Sequence, residues 1–129
     1  MAALSDYAEN LILNWLMKNT GSAPSTTHLA LFTAAPSDSG GGTEVSGNGY
    51  ARQAVTWDTA SGTGGTTSNS TAETFTASGG SFGTVTHIGI FDAATTGNLL
   101  WHGAVTSSKA VADGDSLQFA IGAIDLTIA

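Results

Sequence analysis

Apolar side chains recur along this chain with two different periods, and the change between them falls at a proline. Leu4, Tyr7, Ala8, Leu11, Ile12, Trp15 and Leu16 lie at helical spacing and form one stripe, which predicts a helix over about 4–19. Ser5 or Asp6 can cap its start, and Asp6 and Glu9 are spaced as a capping box. Asn19-Thr20-Gly21 ends the helix and Pro24 prevents its resumption. Beyond Pro24 the period drops to two. Short runs at Thr27–Thr33, Tyr50–Trp57, Thr71–Ala77, Thr84–Phe91, Asn98–Thr106, Lys109–Ala112, Ser116–Ile121 and Ile124–Ile128 are separated by glycine-rich turns. One helix followed by seven or eight such strands predicts a mainly β fold. The expected form is an antiparallel β-sandwich or jelly-roll-like domain with one N-terminal α-helix. A single domain over 1–129 is expected, with the β part at about 26–129.

The helix admits two readings. Trp15 with Leu11 either packs into the core or docks on a neighbouring subunit. The first is favoured, because one helix on a small β domain usually covers its sheet.

Composition narrows the function. Ser, Thr and Gly supply 50 of 129 residues and charged residues only 10%, with a net charge of −7. Lys18, Arg52 and Lys109 are the only Lys and Arg residues, too few to track a phosphate backbone, so nucleic acid is excluded as a partner. No apolar run approaches the roughly 20 residues of a spanning helix, and an anionic membrane would repel the chain. Met1–Asp6 has no basic n-region, so no signal peptide is expected and synthesis is placed in a cytoplasm. The absence of cysteine removes disulfides, thiolate metal sites and Cys nucleophiles. Ala35–Gly49 and Thr59–Ser70 lack apolar anchors and are expected to be surface loops, available as contact arms.

No constellation argues for catalysis. His28, His87 and His102 lie in separate expected strands and nothing in their spacing demands a shared metal. Asp113-Gly114-Asp115 lacks the remaining ligands of a calcium loop and is read as a turn. Glu73 and Asp125 are mid-strand carboxylates without the aromatic-lined cleft a glycosidase uses. Gly40-Gly41-Gly42 neither follows a strand into a helix nor has a lysine beside it, so it is no phosphate cradle. Trp57, Trp101 and Tyr50 could stack on a sugar; as the large aromatics of a leucine-poor chain they are better read as core. No cofactor and no metal is expected.

Leu29-Ala30-Leu31-Phe32-Thr33-Ala34-Ala35-Pro36-Ser37-Asp38 runs into Gly41-Gly42-Thr43-Glu44-Val45-Ser46-Gly47 and on through Gly49-Tyr50-Ala51-Arg52-Gln53-Ala54-Val55. With Thr84–Ala94 and Gly97-Asn98-Leu99-Leu100, these segments closely resemble a family of small structural proteins of tailed-bacteriophage virions. The likeness covers nearly the whole chain, including the helix and the closing turn Ala112–Asp115. It implies a non-enzymatic virion component. Members are commonly labelled tail fibre, minor tail or structural proteins.

A compact chain without heptads or repeats fits a capsid cement or decoration protein, which would bridge subunits of the major capsid protein. A tail fibre or minor tail adaptor is the second reading, and a carbohydrate-binding module the third. A homo-oligomer within the assembly is expected, and the interaction residues put forward are Leu11, Trp15, Glu44, Tyr50, Arg52 and Trp57. The acidic partner of Arg52 could lie across an interface or inside the same chain.

Overall fold

The computed structural model describes residues 2–60 and 64–128. The chain runs β1 (Ala2–Leu4), α1 (Asp6–Lys18), β2 (Thr27–Ala34), β3 (Thr43–Glu44), β4 (Gln53–Val55), β5 (Thr66–Ser68), β6 (Glu73–Thr76), β7 (Gly83–Phe91), β8 (Leu99–Val111), β9 (Ser116–Phe119) and β10 (Asp125–Thr127). The fold is mainly β, as the alternation predicts. One large antiparallel sheet has the order β1-β8-β7-β2, with β3 and β4 both pairing with β2. Two antiparallel pairs, β5–β10 and β6–β9, form the smaller sheets of a sandwich-like arrangement.

Register assigns the faces. Leu29 opposes Ile90 and Leu31 opposes Ile88, so these four share one face of the large sheet. That face packs against Phe75, Ile124 and Leu126, with Leu117 and Phe119 half-buried beside them. On the opposite face His28 opposes Phe91, Ala30 opposes Gly89 and Phe32 opposes His87. Phe32 and Phe91 stack there at 6.2 Å, across Gly89. A Cβ on Gly89 would lie 2.9 Å from both Phe32 and Leu99, which is why this strand position carries no side chain.

Ser5 caps α1: its Oγ accepts from Ala8 N at 3.2 Å and donates to Leu99 O. Asn19 closes the helix in the left-handed region at φ 53°. The core reading of Trp15 is not met. The helix contacts β1 and β8, buries only Ala8, and leaves Trp15 50% exposed. The small sheets already cover the core face, so the helix is left the β1–β8 edge.

The two expected loops are also more ordered than their composition suggests. Val45 is buried, and Thr43–Glu44 pairs with β2. In Thr59–Ser70, residues 61–63 lie outside the described residues, while Thr66–Ser68 pairs with β10. Asn69 is fully buried; its amide donates to Thr71 O at 2.7 Å and Ala120 O at 2.9 Å, and its Oδ1 accepts from Ile124 N at 2.9 Å. A buried amide satisfied on both ends does the anchoring that no apolar residue of this stretch could do. The runs Asn98–Thr106 and Lys109–Ala112 merge into the single strand β8, which ends at Val111.

Candidate assembly surface

The residues put forward from sequence fall into three places. Glu44 and Arg52 come together on the sheet face that carries Phe91, and Tyr50, whose ring packs against the core, reaches Glu44 with its hydroxyl. Arg52 donates from Nε to Glu44 Oε2 and from a terminal nitrogen to Oε1, both at 2.8 Å, a two-pronged carboxylate clasp. Its other terminal nitrogen donates to Ala93 O at 2.9 Å and Thr96 O at 2.7 Å. The guanidinium carbon lies 3.7 Å from the Phe91 ring centroid, a cation–π contact. The Tyr50 hydroxyl donates to Glu44 Oε2 at 2.7 Å and accepts from Leu31 N at 3.1 Å.

Arg52 therefore has its acidic partner inside its own chain, and its side chain is only 7% exposed. Partial burial alone would raise the Glu44 pKa, but the hydrogen bonds from Arg52 and Tyr50 and the Arg52 charge hold it below the ordinary value of 4.5. Burial pushes the Tyr50 phenol up, with the Glu44 charge adding to it. Arg52 is held still more firmly protonated by its bonds to Glu44.

The loop that receives Arg52 is built locally. Asp92 accepts from Asn98 N at 2.7 Å and from the Asn98 amide at 2.9 Å, closing the turn. Gly97 sits at φ 74°, where a Cβ would meet Asp92 Oδ1 at 2.5 Å. Sequence reasoning missed Ala93 and Thr96 because main-chain acceptors carry no residue signature; the Asp92…Gly97-Asn98 turn was the available sign. Beside the clasp a cleft of about 580 Å³ is lined by Asp6, Tyr7, Asp38, Glu44 and Phe91. At its Asp38 wall, His102 Nε2 bonds Asp38 Oδ1 at 2.8 Å, and Asp38 O accepts from Asp6 N at 3.0 Å, pinning the Ala35–Gly42 segment to the start of α1.

Leu11 and Trp15 sit elsewhere, in a small apolar groove of about 170 Å³ shared with Leu4, Pro24, Leu100 and Trp101. Outside that groove the same helix exposes Leu13 (59%), Leu16 (64%) and Met17 (77%). Leu13 and Met17 lie off the stripe read from sequence. The signal was there: α1 is apolar around more of its circumference than one buried face needs.

Trp57 stands apart from both. Its indole N–H donates to Thr27 Oγ1 at 2.8 Å and its ring packs half-buried on the core. Tyr50 stacks on Phe75 at 6.0 Å and meets Phe82 edge-on at 5.8 Å. Trp57, Trp101 and Tyr50 thus face different neighbours. The three histidines are likewise separate: His87 bonds Thr86 Oγ1 at 2.8 Å, His102 bonds Asp38, and His28 Nδ1 has no partner among the described residues. Lys109 reaches from β8 to donate to Ser116 O at 2.9 Å.

Compared with known families, the chain matches over residues 3–127 the family described as Podophage GP4 fiber I protein gp80. No curated protein matches it significantly.

Proposed function

The chain belongs to this podophage fiber family, and from that premise we propose that it is a structural part of a podophage fibre, joined to neighbouring virion proteins through the outward face of α1. The observation that carries this reading is the exposure of Leu13, Trp15, Leu16 and Met17 on one 13-residue helix. Scattered exposed apolar residues need no explanation; four large ones on three turns of one helix, with Trp15 at the groove and the others outside it, suit a protein partner. The clasp at Arg52 supports the same division of labour, since its polar groups already have internal partners and serve the fold.

Sequence alone ranked capsid cement first and tail fibre second; membership in a fiber family reverses that order. No helix among the described residues is long and apolar enough to cross a membrane. Quantitative mass spectrometry of purified virions, separated into heads and tails, tests the reading. The chain is expected in the tail fraction at a copy number far below that of the major capsid protein. Head association at a copy number matching the capsid lattice would restore the cement reading. Trp15→Ser with Leu16→Ser is expected to leave the isolated chain folded and to remove it from the particles.

A further inference from the structure

The chain has six asparagines, and Asn48 is the one followed by glycine. Asn48 and Gly49 are the central pair of a tight turn. Tyr50 N bonds Gly47 O at 3.0 Å, and both central residues are left-handed, at φ 55° and 79°. Asparagine and glycine tolerate that geometry best, so the turn accounts for the dipeptide. The same dipeptide is chemically reactive. Gly49 has no Cβ, so its backbone nitrogen is the least shielded nucleophile that an asparagine carboxamide can meet.

Three turns join at this point. Asn48 Nδ2 donates to Ser81 O at 2.8 Å, and Asn48 O accepts from Ser78 N at 2.9 Å. The carboxamide fills the space over Gly80, where a Cβ would lie 2.6 Å from Asn48 Oδ1. The Ala112–Asp115 turn holds the same segment, with Gly79 N donating to Asp113 Oδ1 at 2.9 Å and Gly114 N to Ala77 O at 2.8 Å. Asn48 is exposed, so water reaches it, yet its amide is tied at the nitrogen and packed at the oxygen.

We propose that Asn48 is a fold-gated deamidation site. While the three turns are closed, Ser81 O and Gly80 keep the carboxamide from swinging onto the Gly49 nitrogen. When they open, that nitrogen gives its proton to solvent and attacks the Asn48 side-chain carbonyl carbon. A ring C–N bond forms, the bond from that carbon to Nδ2 breaks, and Nδ2 leaves as ammonia. Water then opens the cyclic imide at either carbonyl, leaving aspartate or isoaspartate, with nothing oxidised or reduced. The product does not restore the closed state. A carboxylate only accepts hydrogen bonds, so Ser81 O loses its donor, and the new charge sits on the turn that Asp113 already holds. The competing account is that Asn48-Gly49 serves the turn alone and the fold neither protects it nor depends on its amide.

Peptide mapping at mildly alkaline pH, with the chain folded and in urea, separates the two. Asn48 is expected to lose its amide at least about tenfold more slowly in the folded chain. Asp113→Ala removes one tie of the Gly79–Ser81 turn and is expected to raise the folded-state rate severalfold with the circular dichroism unchanged. Asn48→Asp supplies one product directly. In that variant the amides of Ser78 and Gly79, which are remote from position 48 in sequence, are expected to exchange about tenfold faster, with β2 and β7 unaffected. Equal deamidation rates in the folded and urea-unfolded chain overturn the gate, as does an Asp113→Ala rate no faster than that of the unsubstituted chain. Unchanged exchange at Ser78 and Gly79 in Asn48→Asp overturns the lasting effect on the turns.

Discussion

Around Arg52, polar groups from β3, the residues just before β4 and the β7–β8 loop find partners within the chain; along α1, Leu13, Leu16 and Met17 are exposed and Trp15 is half-exposed. The Arg52 region resembles a binding site in composition, with an arginine, a glutamate and a tyrosine beside a cleft, yet its bonds are spent on holding three segments together. Helix α1 has the sequence of an ordinary core helix, yet it buries one alanine. Residue type was a poor guide to direction in both places. What decides is whether the surrounding segments leave a group anything to bond or bury against.

The comparison can be broken most forcefully at Arg52. Arg52→Ala leaves Ala93 O and Thr96 O without the guanidinium donor, leaves Glu44 with only the Tyr50 hydroxyl, and uncovers Phe91. A loss of about 3–5 kcal/mol is expected in urea unfolding. Lys restores a point charge without the fork and recovers only part of that. A cost below about 1 kcal/mol would mean the clasp does not tie the fold.

A smaller break lies where α1 joins the sheet. Ser5→Ala removes the cap and the bond to Leu99 O, for an expected loss of about 1–2 kcal/mol and a lower Tm.

The third effect appears as a slope. The Glu44 pKa is lowered by folding, so the stability it contributes is present above its ordinary value of 4.5 and is lost as pH falls through the lower folded value. Glu44→Gln is expected to flatten the acid limb of stability against pH in that window. An unchanged limb would show that other carboxylates carry it.

The smallest effect on stability sets the two regions furthest apart. Leu13→Ser and Met17→Ser are expected to fall within about ±0.5 kcal/mol, since both side chains are exposed. Incorporation into particles should nonetheless drop. A large stability loss from either would return the helix to the core.

The parts of the fold that local chemistry determines were legible. The helix followed from its 3.6-residue stripe, the Ser5 cap and the Asn19 stop, and β2 and β7 followed from alternation. What escaped was non-local. Leu4 reads as the helix start and Ala2-Ala3 carry no signal of their own; only pairing with Trp101–Gly103 makes Ala2–Leu4 a strand. Asn69 sits in a stretch of Ser, Thr and Gly, where nothing marks one amide as the buried one. The same limit applied at the candidate site. Glu44, Tyr50 and Arg52 were singled out, but the acidic partner of Arg52 could be chosen only once β3 and β4 were seen on the same strand, β2.

Two of the three Lys and Arg side chains bond inside the chain, Arg52 to Glu44 and Lys109 to Ser116 O, leaving Lys18 at the end of α1. The surface around the helix therefore belongs to a particle with net charge −7 and few outward cations to offset it. Such copies repel one another in dilute buffer, over a distance that shrinks to about 8 Å at physiological ionic strength. On the proposed function, in which α1 is the joining face, repulsion of this kind would act as a timing device, holding free copies apart until apolar burial at contact outweighs it. Assembly should thus accelerate with added salt, the reverse of the behaviour of proteins held together by ion pairs.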